Sequence, residues 1–378
     1  MMKSKNNEYT QWGERRQSRM FVRGLHLDVP LLIGIIMLSA IGLVILYSAS
    51  GQNDAIISRQ LMRLAIAFTV MLVVAQIPPH HIQLWAPWAF GAGLLLLAAV
   101  LLIGDEGKGA QRWLDLGFFR FQPSEVMKLA VPIMVAWYFA DNPAPPLLKH
   151  ILIACALIIV PVLLIAKQPD LGTSLLIASS GIFVLLLSGI RWKHVSGFIL
   201  LIATSTPLLW LNLHEYQKAR VMTFLNPEND PLGAGYHIIQ SKIAIGSGGI
   251  YGKGWLNGSQ SHLEFLPERT TDFIFSVFSE EFGFIGIFCL LLLYLFIVVR
   301  GLYIATQAQS TFTRLLAGSL ILTFFVYTFV NIGMVSGLLP VVGLPLPLIS
   351  YGGTSMVTLM AGFGILMSIH THRRLLSN

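Results

Sequence analysis

Residues 266–299 read LPERTTDFIFSVFSEEFGFIGIFCLLLLYLFIVV. From Phe273 onward the run is long and apolar enough to cross the roughly 30 Å hydrocarbon core of a bilayer, which takes about 20 residues in a helix. Yet its first turns carry Asp272, Glu280 and Glu281. An acidic side chain at the centre of a membrane helix costs about 2.5–3.5 kcal/mol on insertion scales, so carboxylates there call for partners or for a task.

The rest of the chain resembles this segment. Of 378 residues 55% are hydrophobic and only 11% are charged, and the mean hydropathy is +0.71. Soluble domains run about 25% charged, so the composition is that of a membrane protein. Cys155 and Cys289 both lie inside apolar runs, which argues against a disulfide framework and against metal-ligand spacing. The first apolar run is about 20 residues long, beyond the roughly 7–15 of a signal-peptide core, and reads as a retained span.

Ten near-spanning runs start near residues 29, 61, 84, 123, 151, 171, 195, 272, 312 and 348. The expected architecture is all-α: a basic tail (1–28), one ten-span membrane domain (29–371) and a short C-terminal tail (372–378). Basic residues in short loops set orientation. Lys3, Lys5, Arg15, Arg16, Arg19 and Arg23 precede the first span, and Lys149, Arg191, Lys193, Arg300, Arg314, Arg373 and Arg374 fall on the same side. Both termini are then cytoplasmic, and even-numbered spans run from outside to inside. Arg59, Arg63, Lys108, Arg112, Arg120, Lys128, Lys167, Lys218, Arg220, Lys242, Lys253 and Arg269 break the rule by lying on the outer side. Solubility of a long loop accounts for some of them. Lys128, within SEVMKLAVPIMVAWYF (124–139), needs another reason, and an anionic ligand on the outer face would supply one.

Four unusual segments open outside-to-inside helices: RFQPSEVMK (120–128), KQPDLGTSLL (167–176), ERTTDFIF (268–275) and GLPLPLISYGGTS (343–355). In the first two, proline is expected at about the first helical position, where its missing N–H is harmless. Helix starts present unpaired N–H groups and partial positive charge, so several on one face would favour an anion. Taken singly, each is ordinary capping, and Glu125 with Lys128 could be a self-neutralising pair.

Residues 214–271 form one long outer loop. Within it YHIIQSKIAI (236–245) is a short amphipathic segment suited to the interface. GGIYGKG (248–254) fails the phosphate-loop spacing and reads as flexible linker. Asp272 is either a helix cap or a carboxylate whose desolvation suits it to act as a general base. Glu280 and Glu281, deeper along the helix, are expected to fix packing through hydrogen bonds.

AQRWLDLGFFRFQPSE (110–125), KQPDLGTSLL, LPERTTDFIFSVFSEEFG (266–283) and PLPLISYGGTS (345–355), in this order, resemble the SEDS family (shape, elongation, division and sporulation). The likeness spans all ten runs and is greatest to the family's rod-shape, elongation branch. It implies a peptidoglycan glycosyltransferase of the bacterial inner membrane. Such an enzyme polymerises lipid II on the outer face during cell elongation, with the elongation machinery and a class B penicillin-binding protein transpeptidase as partners. No nucleic-acid partner is implied. By the same resemblance the essential aspartate falls on Asp272, and substrate-binding positions on Glu125, Lys128 and Asp170. Arg112, Arg120, Lys218, Arg220 and Ser350 join these as candidate substrate contacts. A divalent cation, Mg or Mn, could bridge the diphosphate and Glu125, although no ligand cluster demands it. A lipid flippase or a non-catalytic scaffold would share the spans and the charges, without needing a base at an outer helix start.

Overall fold

The computed structural model describes residues 26–107, 110–115, 120–142, 144–212, 215–226, 234–259 and 268–372. Residues 1–25 of the basic tail, and Arg373 and Arg374 with the rest of the C-terminal tail, lie outside the described residues.

Helices form at all ten apolar runs: α1 (Val29–Ala49), α2 (Asp54–Ala75), α3 (Pro79–Ile103), α4 (Pro123–Ala140), α5 (Leu148–Ala166), α6 (Leu171–Leu187) and α7 (Trp192–Asn212), then, after α8 (Glu215–Leu225) and α9 (Ala234–Ser247), α10 (Ile274–Thr306), α11 (Thr311–Val335) and α12 (Thr354–Thr371). Seven of them, α1–α3, α5 and α10–α12, are long and apolar enough to cross a membrane by length and composition, and α6 is a shorter apolar helix. This is a multi-pass membrane protein.

Their starts follow from local chemistry. Asp28 caps α1 by accepting from Leu31 N, Asn53 caps α2, and Ser310 and Thr313 form a capping box on α11. Pro123 opens α4 as its first residue. In KQPDLG the start is displaced: Asp170 is itself the cap, its carboxylate accepting from Thr173 N at 3.2 Å, so Pro169 precedes the helix.

Helix α2 packs along α12, α10 against α1 and α11, and α4 against α3, α6 and α11. Without water to drive them together, membrane helices rely on close backbone approach. A Cβ at Gly364 would stand 2.6 Å from Met71 O, so α12 and α2 can meet there only over glycine.

The sequence reading differs from the structure in the loops. Three short antiparallel strands, β1 (Asp105–Gly107), β2 (Ala110–Asp115) and β3 (Arg120–Phe121), follow α3; they add a hairpin to the all-α architecture. GGIYGKG is no flexible linker. At Gly283 (φ 63°) α10 breaks, and this segment docks in the break. Phe284 N donates to Gly249 O at 2.9 Å, Lys253 N to Glu280 O at 3.0 Å and Gly254 N to Glu281 O at 3.0 Å. Its glycines are required by closeness, since a Cβ at Gly252 would lie 2.1 Å from Glu281 O. Helix α9, at the amphipathic segment, is pinned to the bundle: Ser241 Oγ meets Ser276 Oγ at 2.8 Å and donates to Val335 O at 2.5 Å.

Candidate active site

Asp272 stands two residues before α10. The cap position belongs to Phe273, whose side chain makes no capping bond. The backbone around Asp272 is tied to the non-helical segment ahead of α12. Tyr351 N donates to Thr270 O at 2.8 Å, and Ser350 Oγ donates to Thr271 O at 2.5 Å while accepting from Leu346 N at 2.7 Å. Asn331 of α11 donates through Nδ2 to Asp272 O at 3.0 Å and to Leu344 O at 2.6 Å. The Asp272 carboxylate rests beside Gly343 (φ 73°), where an added Cβ would be 3.4 Å from Oδ2.

Across from it, the first turns of α4 carry Glu125 and Lys128, an ion pair at 2.8 Å with side chains 7% and 11% exposed. The i,i+3 spacing makes the contact; burial makes it obligatory, because an unpaired charge here would keep its full desolvation cost. Glu125 Oε2 is buried without a hydrogen-bond partner. Lys128 Nζ lies 5.3 Å from the Tyr327 ring centroid, and Tyr327 is within electrostatic reach of Lys128, Glu125 and Asp272 together.

Lys128 and Tyr327 line an apolar slot between α4, α6, α11 and α12, with Leu176, Phe324, Ser355 and Phe363 among others. A second, smaller cavity shares Tyr327 and Ser355 and reaches Ser350 beneath the Pro345–Pro347 segment.

The other expected residues sit as follows. Asp170 lies within electrostatic reach of Lys128 and accepts from Gln122 Nε2 at 3.2 Å. Arg112 turns two of its donors to backbone, Nε to Gln168 O at 3.2 Å and Nη2 to Pro169 O, and so holds the turn that leads into α6. Ser350 is a buried tie between segments. Lys218 lies on α8 and is partly exposed. The side chains of Arg120, in β3, and Arg220, in α8, lie outside the described residues. Glu280 and Glu281 are fully buried away from Asp272: Glu280 pairs with Lys253 at 2.6 Å and accepts from Ser259 at 3.0 Å, and Ser48 donates to Glu281. Among the described residues no three His, Cys, Asp or Glu side chains gather as a metal site.

Sequence reasoning missed Asn331, Tyr327 and Gln60, the last donating from α2 to Ser350 O at 3.3 Å. Their one signal was an uncharged polar group inside an apolar run.

Known proteins resemble this chain along nearly its whole length. The FtsW/RodA/SpoVE family of cell cycle proteins matches residues 25–375. The chain is 56% identical over 354 residues to the peptidoglycan glycosyltransferase MrdB of Escherichia coli K12, covering 93% of this chain and 96% of that one. It is 36% identical to its namesake from Helicobacter pylori J99, covering 94% and 92%. A solved structure described as structural coordination of polymerization and crosslinking by a peptidoglycan synthase complex superposes with a TM-score of 0.81 at 31% identity, covering 92% of this chain and 99% of that one. The rod shape determining protein RodA of Thermus thermophilus superposes with a TM-score of 0.69 at 28% identity, covering 91% and 96%. By its four signature segments, its fold and these relatives, the chain belongs to the FtsW/RodA/SpoVE family, the SEDS proteins.

Proposed function

We propose that this peptidoglycan glycosyltransferase polymerises lipid II at the outer face of the bacterial inner membrane during cell elongation, with Asp272 as general base. The enzyme class follows from relatives at 56% identity that carry that name. A ten-span topology with both termini in the cytoplasm, the arrangement the basic residues favour, would put the Asp272 end outside. The partner is a class B penicillin-binding protein that crosslinks the strands, in keeping with a structural relative described as a synthase complex.

One observation carries the reading: Lys128 and Tyr327 line an apolar slot, and Tyr327 is within electrostatic reach of both Asp272 and Glu125. A lipid-linked sugar diphosphate has the matching parts. Its polyprenyl tail fills the slot, where burial of apolar surface is favourable. Its diphosphate lies against Lys128 and the starts of α4, α6 and α12, which stabilise the charge that grows as it leaves. Lys218, partly exposed on α8, is a further candidate contact for the diphosphate. Asp272 accepts the proton of the acceptor sugar hydroxyl as its oxygen bonds to the anomeric carbon. The bond from that carbon to the diphosphate breaks, and its electron pair leaves with undecaprenyl diphosphate. Direct displacement with a single base inverts the anomeric centre. A Mg or Mn ion arriving with the diphosphate would find an acceptor in Glu125 Oε2 and would neutralise the leaving group.

Purified protein with its transpeptidase partner, given lipid II in detergent, is expected to form glycan strands. A flippase has no membrane to cross there and makes no polymer, and a scaffold makes none without a second polymerase. Absence of strands from an active, correctly partnered preparation overturns the reading.

A further inference from the structure

Asn331 is a fully buried carboxamide on an otherwise apolar stretch of α11. Its two N–H bonds go to two different segments: the main-chain carbonyl of Asp272 at 3.0 Å and that of Leu344 at 2.6 Å. The reverse orientation of the amide would set its oxygen against two carbonyl oxygens, so the network itself decides which atom is nitrogen. That leaves Oδ1 buried with no hydrogen-bond partner. A buried unsatisfied acceptor costs about 1–3 kcal/mol, so packing alone would be served better by an apolar side chain.

The two anchored carbonyls flank one contact. Asp272 carries the carboxylate, and Leu344 follows Gly343, the residue on which Oδ2 rests. Fixing both carbonyls sets the direction of the Asp272 side chain and the height of the surface beneath it. The neighbouring ties, Ser350 to Thr271 O and Tyr351 N to Thr270 O, join the same two segments but hold the backbone ahead of Asp272.

We infer that Asn331 is a positioning residue for the glycosyl transfer, holding the Asp272 carboxylate at the angle from which it takes the acceptor proton. The inference rests on the assignment of Asp272 as base. It assigns Asn331 no contact with substrate, so its removal lowers turnover and leaves lipid II binding alone, since misplacing a catalytic group by about 1 Å can cost about 100-fold.

The test uses the full chain with its transpeptidase partner and lipid II in detergent, comparing wild type, Asn331→Ala, Asn331→Asp and Asp272→Asn. Asn331→Ala is expected to lower kcat at least about 30-fold with KM for lipid II within about twofold. Asn331→Asp is nearly isosteric, which guards against failure to fold. Its new carboxyl keeps one donor while protonated and faces two carbonyls once ionised. Its rate per folded molecule therefore falls as pH rises, adding an alkaline limb that wild type lacks, and its melting temperature falls over the same range because ionising the buried carboxyl costs stability. The inference is overturned by kcat within threefold of wild type, by a loss confined to KM, or by an Asn331→Asp rate reduced equally at every pH. If Asp272→Asn polymerises normally, the assignment of the base has failed instead.

Discussion

Asp28 and Asp272 stand in similar places, one and two residues ahead of a membrane helix, and the molecule treats them in opposite ways. Asp28 is enclosed. Its side chain is 2% exposed, caps α1, pairs with Arg300 at 2.6 Å and lies 2.6 Å from His370 Nδ1. Every part of its charge is committed to joining the starts and ends of α1, α10 and α12. Asp272 is only partly buried, does not occupy the cap position of its helix, and lies within electrostatic reach of Tyr327, which Lys128 and Glu125 also reach. A membrane protein can tolerate a carboxylate by neutralising it on the spot or by giving it work. Asp28 illustrates the first course, and the base role proposed for Asp272 would be the second.

The largest effect that could break this comparison is at Asp272. Asp272→Asn keeps the size and the backbone ties and removes the proton acceptor. Polymerisation is expected to fall by about 10²–10⁴-fold, the usual contribution of a general base, with unchanged partner binding in pull-down. Next is the Glu125–Lys128 pair. Glu125→Ala leaves Lys128 buried without its partner, at a cost of about 3–5 kcal/mol, so detergent-solubilised protein should melt earlier and also polymerise poorly. Glu125→Gln, which keeps an acceptor for Lys128, should recover most of the stability but less of the rate.

Glu280 should behave like Asp28 although it shares a helix with Asp272. Glu280→Gln weakens the bonds from Lys253 and Ser259 that seat the 248–254 segment in the break of α10. The loss is about 1.5 kcal/mol, the lower end for a charged hydrogen bond because Lys253 is 30% exposed. Thermal denaturation should register it, while the rate per folded molecule stays within about threefold.

Asp28→Asn is the smallest, with no expected change in polymerisation. Burial pushes the Asp28 carboxyl up, but the bonds from His370, Arg300 and Leu31 N–H outweigh it and hold the group well below its ordinary 3.8. A depressed native pKa stabilises fully above the unfolded value and loses that contribution as pH falls through the native one. The melting-temperature gap between wild type and Asp28→Asn should therefore shrink as pH falls below about 4.

How much of this was legible in the sequence depended on the range of the interactions. Apolar runs and first-turn residues are local, so the helices appeared at all ten runs and Glu125 met Lys128 as their spacing required. Even there, Asp170 moved the start of α6 by taking the cap itself, and GLPLPLISYGG stayed non-helical, with a turn at Leu346–Ser350, until Thr354. The docking of GGIYGKG depends on carbonyls of Glu280 and Glu281 more than 25 residues away, and no local pattern distinguishes such a segment from a linker. Asn331 and Gln60 were hidden for a related reason. A lone amide in an apolar helix acquires meaning only from the carbonyl it reaches, and those carbonyls lie in Asp272, Leu344 and Ser350. Tyr327 reads as core until the slot it lines is seen.

The account stands on Asp272 acting at the exterior surface of the membrane. With Cys155 and Cys289 replaced by serine, Asp272→Cys is exposed in intact spheroplasts to a membrane-impermeant thiol reagent, with Gln307→Cys, exposed at the far end of α10, as the opposite control. Labelling at 272 without permeabilisation, and at 307 only after it, is the predicted result. Labelling at 272 only after the membrane is opened would contradict the account.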